Sequence, residues 1–270
     1  MTLLVRGVSL PTDKSVLLMG IVNVTPDSFS DGGRYFDPQA AIAHGRKLLA
    51  EGADLLDIGG ESTRPGASPP DPEEEIKRVE PVIAALSGEA VISVDTRREQ
   101  VARAALEAGA HILNDISANP ALMDLAASYR AGLVVMHMQG EPATMQDAPC
   151  YSNVVEEVRD FLLRKAGAAI KRGVSLKSLI LDPGIGFGKN LSHNLSLLKA
   201  LGRLTSDFPL LLGLSRKRFL RALSGENFGG PAANVAASLW GVSQGAKILR
   251  THEIAPLRQA LKVWEAIKEH

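Results

Sequence analysis

Eight short apolar runs, each followed by an amphipathic stretch, occupy the chain from residue 16 to its end. This alternation limits the possible folds more than any other feature of the sequence. The runs are Val16–Val22, Asp54–Ile58, Val91–Val94, His111–Leu113, Gly132–Met136, Ser178–Leu181, Leu210–Leu214 and Ala246–Leu249. Helical periodicity follows over Pro38–Glu51, Pro72–Leu86, Arg97–Ala108, Pro120–Tyr129, Ser152–Arg172, Leu191–Leu201, Lys217–Ser224 with Ala232–Gln244, and Ala255–Glu269. The runs lack the polar alternation of a half-exposed strand, so they suit parallel strands covered by helices on both faces. Gly52, Gly109 and Gly245 each stand between a helix and the next run, where a left-handed cap is needed. Pro38, Pro72 and Pro120 stand at helix starts, where a missing N–H costs nothing. This pattern predicts an α/β fold of the (β/α)8, or TIM, barrel type, with an open doubly wound sheet as competitor. The extra segment Leu3–Leu10, turning at Pro11–Lys14, reads as a hairpin closing the barrel bottom. No linker or charge block divides the chain, so residues 1–270 read as a single barrel domain.

Composition narrows the partners. Lys plus Arg and Asp plus Glu both number 30, so the net charge is zero and nucleic acid is not an expected partner. A hydrophobic fraction of 45% excludes disorder as the main state. The lone cysteine, Cys150, cannot form an intrachain disulfide, and the start of the chain lacks a secretory h-region, so a reducing cytoplasm is the simple reading. No apolar run approaches a bilayer span, which excludes the membrane as a partner.

The runs end in polar residues: Asn23, Asp57, Asp95, Asn114-Asp115, His137, Asp182, Ser215-Arg216-Lys217 and Arg250-Thr251-His252. One Asp or Asn after a strand is more often a helix N-cap than a catalyst. A barrel, however, gathers all of these on its carboxyl-end face, where such folds place their sites. Asp95, Asn114, Asp182 and Lys217 offer acceptors, an amide and a cation, a set that matches a flat heterocycle with an amino–imino edge and a carbonyl. Arg250, His252 and Asn23, neighbours in a closed barrel, suit a phosphate or pyrophosphate. Met136 and Phe187 read as core alone, yet after strand ends they can bound a ring. The Gly184–Gly188 stretch is not a phosphate loop, because Pro183 and Asn190 occupy positions that motif reserves for Gly and Ser or Thr. Its glycines suit close backbone approach to a flat ligand. Zinc spacings are absent, and a magnesium ion held mainly by phosphates fits the remaining donors.

Three strings are specific: Asn23-Val-Thr-Pro-Asp-Ser-Phe-Ser-Asp-Gly-Gly33, Gly59-Gly-Glu-Ser-Thr-Arg-Pro-Gly66 and Asp182-Pro-Gly-Ile-Gly-Phe-Gly-Lys189. With Ser215-Arg-Lys217 and Arg250-Thr-His252 in the same order, the chain closely resembles the dihydropteroate synthases, a pterin-binding family, over nearly its whole length. The resemblance implies a transferase of folate biosynthesis, usually a homodimer and dependent on Mg²⁺. Its substrates are 6-hydroxymethyl-7,8-dihydropterin pyrophosphate and para-aminobenzoate; its products are 7,8-dihydropteroate and pyrophosphate. By position it implies that Asp182 grips the pterin amino–imino edge and Lys217 the carbonyl side. Asp95 and Asn114 complete the ring's hydrogen bonds, and Met136 and Phe187 bound the slot. Asn23 meets the metal, Arg250 and His252 hold the pyrophosphate, and Ser215 lies near the carboxylate of the second substrate. Phe29 and Asp31 on one loop, and Thr63, Arg64 and Pro65 on another, build the pocket for that substrate. Asp31, Asp95, Lys217, Arg250 and His252 are the expected catalytic residues. The alternatives are a methyltetrahydrofolate–corrinoid methyltransferase, a non-catalytic pterin-binding scaffold, and a barrel for some other phosphorylated metabolite. The terminal helices are the expected dimer contact.

Overall fold

The computed structural model describes residues 2–12, 16–25, 37–61, 70–141, 144–204, 208–226 and 230–270. Two short strands, β1 (Thr2–Val5) and β2 (Val8–Pro11), form an antiparallel hairpin. Eight strands then run parallel: β3 (Leu17–Asn23), β4 (Leu55–Gly59), β5 (Val91–Asp95), β6 (Ile112–Asp115), β7 (Gly132–Met136), β8 (Leu179–Asp182), β9 (Leu211–Gly213) and β10 (Ile248–Thr251). Each pairs with its sequence neighbour, and β10 pairs with both β3 and β9. A parallel bridge from Leu181 to Leu210 brings β8 against β9, so the sheet comes round into a barrel and not an open doubly wound sheet.

Helices cover the outside: α1 (Pro38–Ala50), α2 (Pro72–Leu86), α3 (Glu99–Glu107), α4 (Pro120–Tyr129), α5 (Val154–Lys171), α6 (Leu191–Lys199), α7 (Arg218–Ser224), α8 (Gly230–Ser243) and α9 (Ile254–Glu269). Their starts follow the capping logic of the sequence. Asp37, Asp71 and Asn119 each accept a backbone N–H, and each precedes a proline in the first turn. Gly52, Gly109 and Gly245 close helices at φ +103°, +112° and +98°. Among the described residues, no helix is long and apolar enough to cross a membrane.

The apolar side chains fall into two cores. One lies between the barrel wall and the helices, as two-faced parallel strands require. The other fills the barrel's lower end: Leu17, Met19, Leu55, Val91, Ile112, Val134, Ile180, Leu211 and Ile248 point inward from the strands, and Leu3, Val5 and Leu10 of the hairpin plug them from below. The hairpin turns at Arg6–Gly7, however, and not at Pro11–Lys14. Both turn residues have positive φ, +46° and +84°, as a two-residue hairpin demands. Arg6 tolerates it because its Nη1 donates to the carbonyls of Leu106 and Ala110, both at 2.7 Å. Pro11 is the last residue of β2, and Lys14 lies outside the described residues.

The plug and the strands' carboxyl ends lie at opposite ends of the barrel, so stability and binding should separate. Leu3→Ala, at a side chain 1% exposed, is expected to destabilise by about 2–5 kcal/mol. Chemical denaturation should show that loss, while ligand affinity of the folded fraction stays at the wild-type value.

Candidate active site

A cleft of about 1090 Å³ opens at the carboxyl ends of the strands. Asn23, Asp95, Asn114, Met136, Asp182, Phe187, Ser215, Lys217, Arg250 and His252 all line it, so one mouth collects every described residue to which the resemblance gives a role; Asp57, Asp115, His137 and Thr251, also at run ends, are not in its lining. Phe29, Asp31, Thr63, Arg64 and Pro65 lie outside the described residues. Sheet register explains the convergence. Asn23, Gly59, Asp95 and Asn114 are paired in sequence across four adjacent strands. Met136 is opposite Asp182, and Arg250 is opposite Gly213. Most of these are the last residues of their ladders rather than residues following them, because backbone pairing continues one or two residues past the last apolar side chain.

An ion network lies at the floor. Arg250 donates from Nε to Asp57 Oδ2 at 2.5 Å and from Nη2 to Asp95 Oδ2 at 2.7 Å. Asn114 Nδ2 donates to the same Asp57 oxygen at 3.0 Å. Asp57 is wholly buried, and its Oδ1 accepts no hydrogen bond from a described residue. Burial pushes the Asp95 carboxyl up to about 7; Arg250 opposes the rise, while Asp57 and Glu75 add to it. Burial also raises Asp182, against the Gly184 N–H and Lys217. The Lys217 ammonium is brought down to about 8 by burial, with Asp182 pulling it back up and Arg250 lowering it further. The Asp95 carboxyl and the Lys217 amine therefore titrate near neutrality, which is common where protein groups recognise a ligand.

The Gly-rich segment forms one wall. Gly184, Gly186 and Gly188 all have positive φ, and a Cβ on Gly184 would lie 1.8 Å from the His137 carbonyl oxygen. The segment thus packs its backbone against the end of β7, as glycine alone permits. Asp182 Oδ1 accepts the Gly184 N–H at 2.7 Å, and Asn194 Oδ1 accepts the Gly186 N–H at 2.7 Å. Lys217 Nζ stands 3.9 Å from the centre of the Phe187 ring, in cation–π contact.

Across the cleft, Ser215 Oγ and His252 Nδ1 are 3.0 Å apart, and Asn23 Nδ2 and His252 Nε2 are 3.5 Å apart. Burial first, and then Arg216, Arg250 and Lys217, push the His252 imidazole down to about 3. It is therefore neutral at pH 7 in the free protein. A bound anion reverses part of the cationic field that keeps it so.

Three positions carry contacts that the sequence reading did not assign. Asp57, read only as the polar end of its run, unites Arg250 and Asn114. Lys189 is 2% exposed, with its ammonium in the Gly-rich wall. Asn194, one turn into α6, is also buried, and its amide ties Gly186, Lys189 and Asn190 together.

Fold and site together define a (β/α)8 barrel of the enzyme type, whose mouth sets hydrogen-bonding groups around Met136 and Phe187 beside a cationic flank. Residues 19–252 match the family described as pterin binding enzyme, and the chain belongs to that family. A dihydropteroate synthase of Neisseria meningitidis serogroup B is 48% identical over 262 residues, 93% of this chain and 92% of that protein. Dihydropteroate synthase of Xanthomonas albilineans, solved with 4-aminobenzoic acid, superposes with a TM-score of 0.91 at 46% identity, covering 99% of this chain and 98% of that one. The same enzyme in complex with 7,8-dihydropteroate superposes at 0.89 and 43% identity, covering 99% of both chains.

Proposed function

We propose that this protein condenses 6-hydroxymethyl-7,8-dihydropterin pyrophosphate with para-aminobenzoate to give 7,8-dihydropteroate and pyrophosphate, the dihydropteroate synthase reaction. The observation that carries the proposal is the shared mouth. Asp95, Asn114, Asp182 and Lys217 surround Met136 and Phe187, and Arg250, His252, Ser215 and Asn23 stand beside them. Relatives solved with 4-aminobenzoic acid and with 7,8-dihydropteroate support the substrate class.

In this reading Asp182 and Asn114 take the amino–imino edge of the pterin, Lys217 donates to its carbonyl side, and the ring lies against Phe187 and Met136. The C–O bond to pyrophosphate breaks with its electron pair leaving on oxygen. Positive charge on the exocyclic methylene spreads into the reduced ring, where Asp95 and Asp182 offset it. Arg250 favours departure by holding the growing negative charge. Its Nη1 makes no hydrogen bond to a described residue, so that edge is available to the anion. The neutral aniline nitrogen then forms the C–N bond and loses a proton, and no strong base is needed. Asp31 with Phe29, and Thr63 with Arg64 and Pro65, complete the second pocket and keep water from the cation. Ser215 faces the carboxylate of that substrate.

Among the described residues, no cluster of three or more His, Cys, Asp or Glu could hold a metal ion. That fits a magnesium ion bound chiefly by substrate phosphates, with the Asn23 amide oxygen as protein ligand, because Mg²⁺ keeps most of its shell as water and phosphate. When bound, it would supply charge neutralisation on the leaving pyrophosphate. Two further features belong to the proposal. One is a homodimer through α9, whose exposed Val263 and Ile267 give an apolar outer strip. The other is a cytoplasmic setting, consistent with the free thiol of Cys150.

The deciding experiment mixes both substrates with Mg²⁺ and follows pyrophosphate release. Release that requires both supports the reaction. Tight pterin binding without release identifies a scaffold, and methyl transfer from methyltetrahydrofolate to a corrinoid identifies the other barrel chemistry.

Protonation sets an expected pH profile. Affinity for the pterin pyrophosphate should rise as Asp95 ionises near 7 and fall as Lys217 loses its proton near 8, giving a narrow bell. Calorimetric titration across pH should find this shape in the wild type. In Asp95→Asn the acid limb should flatten, and an unchanged acid limb would assign it elsewhere.

A further inference from the structure

Among the described residues, Lys189 is the one amine on the cleft wall whose Nζ is spent wholly on protein acceptors. It lies 2.9 Å from His137 Nδ1, 3.0 Å from the Gly184 carbonyl, 2.9 Å from the Phe187 carbonyl and 3.4 Å from the His137 carbonyl. The ammonium's three N–H donors thus serve four acceptors, all in the turn Gly184–Phe187 or at the end of β7, and they hold it against a burial that brings the amine down to about 7, with Asp182 pulling it back up. His137 meets it uncharged: burial and then Lys189 push its imidazole down to about 3, so the ring is neutral at pH 7, and the tautomer with its proton on Nε2 lets Nδ1 accept from the ammonium. A surface lysine could be exchanged freely, but a buried ammonium persists only where its hydrogen bonds are made.

What hangs on those bonds is the position of Phe187. The carbonyl of Phe187 is tied to Lys189, and its ring lies under the Lys217 ammonium at 3.9 Å. The rest of the turn is also fixed, through Gln146 on the Gly186 carbonyl and Tyr151 on the Gly188 carbonyl. Those contacts leave the carbonyls of Gly184 and Phe187 to Lys189 alone among side chains of described residues.

We infer that Lys189 is a positioning residue for the pterin half of the substrate: its buried ammonium draws the Gly184 and Phe187 carbonyls inward and so sets the height of the Phe187 ring beneath Lys217. It acts through the turn and not on the substrate. The inference rests on the pterin reading of the cleft and adds a residue that the ring contacts themselves do not name.

The test uses the full chain with Lys189→Met, which keeps length and removes charge, and Lys189→Gln in parallel. Binding of the pterin pyrophosphate and of inorganic pyrophosphate is measured by calorimetry, and steady-state kinetics give both KM values. The dissociation constant and KM for the pterin substrate are expected to rise roughly 10- to 100-fold, the worth of hydrogen bonds to a charged group. Affinity for inorganic pyrophosphate, KM for para-aminobenzoate and kcat are expected to stay within about threefold. A purely structural role predicts the opposite split, because a smaller folded fraction lowers the apparent kcat and leaves KM unchanged. In Lys189→Ala, propylammonium should restore pterin affinity and propanol should not. Wild-type pterin affinity in folded Met and Gln variants would overturn the inference, as would an equal loss of pyrophosphate affinity or equal rescue by the alcohol. A wild-type chain that binds the pterin but releases no pyrophosphate sinks the proposed reaction alone. One that binds no pterin sinks both.

Discussion

Lys217→Ala is expected to weaken binding of the pterin pyrophosphate about 100-fold, the upper end of what one hydrogen bond to a charged group contributes. The melting temperature should stay within about 3 °C of wild type. The two expectations come from the same cause. In the folded protein the Lys217 amine titrates near 8, below its ordinary 10.5, because burial disfavours the ammonium. At pH 7 the ammonium is present folded and unfolded, so the folded state bears the desolvation, and that burden is relieved only as pH rises past 8. Removing the side chain relieves it at every pH, which offsets the packing lost along its stem and the partner lost to Asp182. Asp182 keeps its Gly184 N–H bond in the variant. The ammonium is therefore retained for the ligand and not for the fold. Isothermal titration with the pterin substrate and thermal melting of the same preparation check both halves. Wild-type affinity would remove Lys217 from the site, and a large drop in melting temperature would make it structural.

Much of the barrel is legible in the sequence because its physics is local. Strands buried on both faces write themselves as continuous apolar runs, and the proline and glycine punctuation follows from cap geometry that needs no tertiary partner. The candidate site residues were equally legible as polar ends of such runs, although Asp115, which accepts from the Ser117 and Asn119 N–H groups, and Thr251, which accepts from Asn234, show that such an end can serve the fold instead. Strand ends were less so: Asp95, Asn114 and Asp182 are still in the ladder, because a backbone hydrogen bond is indifferent to the side chain it carries. The hairpin turn was misplaced because Arg6 adopts a left-handed conformation that its sequence does not favour. Carbonyls of Leu106 and Ala110, about a hundred residues away, hold it there.

What sequence could not express is pairing across the barrel. Asp57 meets Arg250 across 193 positions, and Lys189 meets His137 across 52. Neither residue carries a local mark of its partner. Both turn out to be buried charges that organise other residues, a role defined only by contact.

Arg250→Met is expected to damage fold and chemistry together, in contrast to Lys217→Ala. Arg250 pairs with Asp57, which is wholly buried, and with Asp95, which is largely so. Removing the guanidinium strands two carboxylates around an already unsatisfied Asp57 Oδ1. Breaking a buried pair from one side costs about 3–5 kcal/mol. Turnover should also fall, by about 100- to 1,000-fold, if Arg250 holds charge on the departing pyrophosphate. The single variant cannot separate these effects, but the double variant Arg250→Met with Asp57→Asn can. It keeps the shape of the floor and removes the more deeply buried of the two stranded charges, so a large part of the lost stability should return while turnover stays at the level of the single variant. Denaturation midpoints and pyrophosphate release from the two variants decide the matter. Recovery of both would mean that Arg250 only neutralises Asp57, and the pyrophosphate would then have to be held by His252, and by Asn23 through the metal, without it.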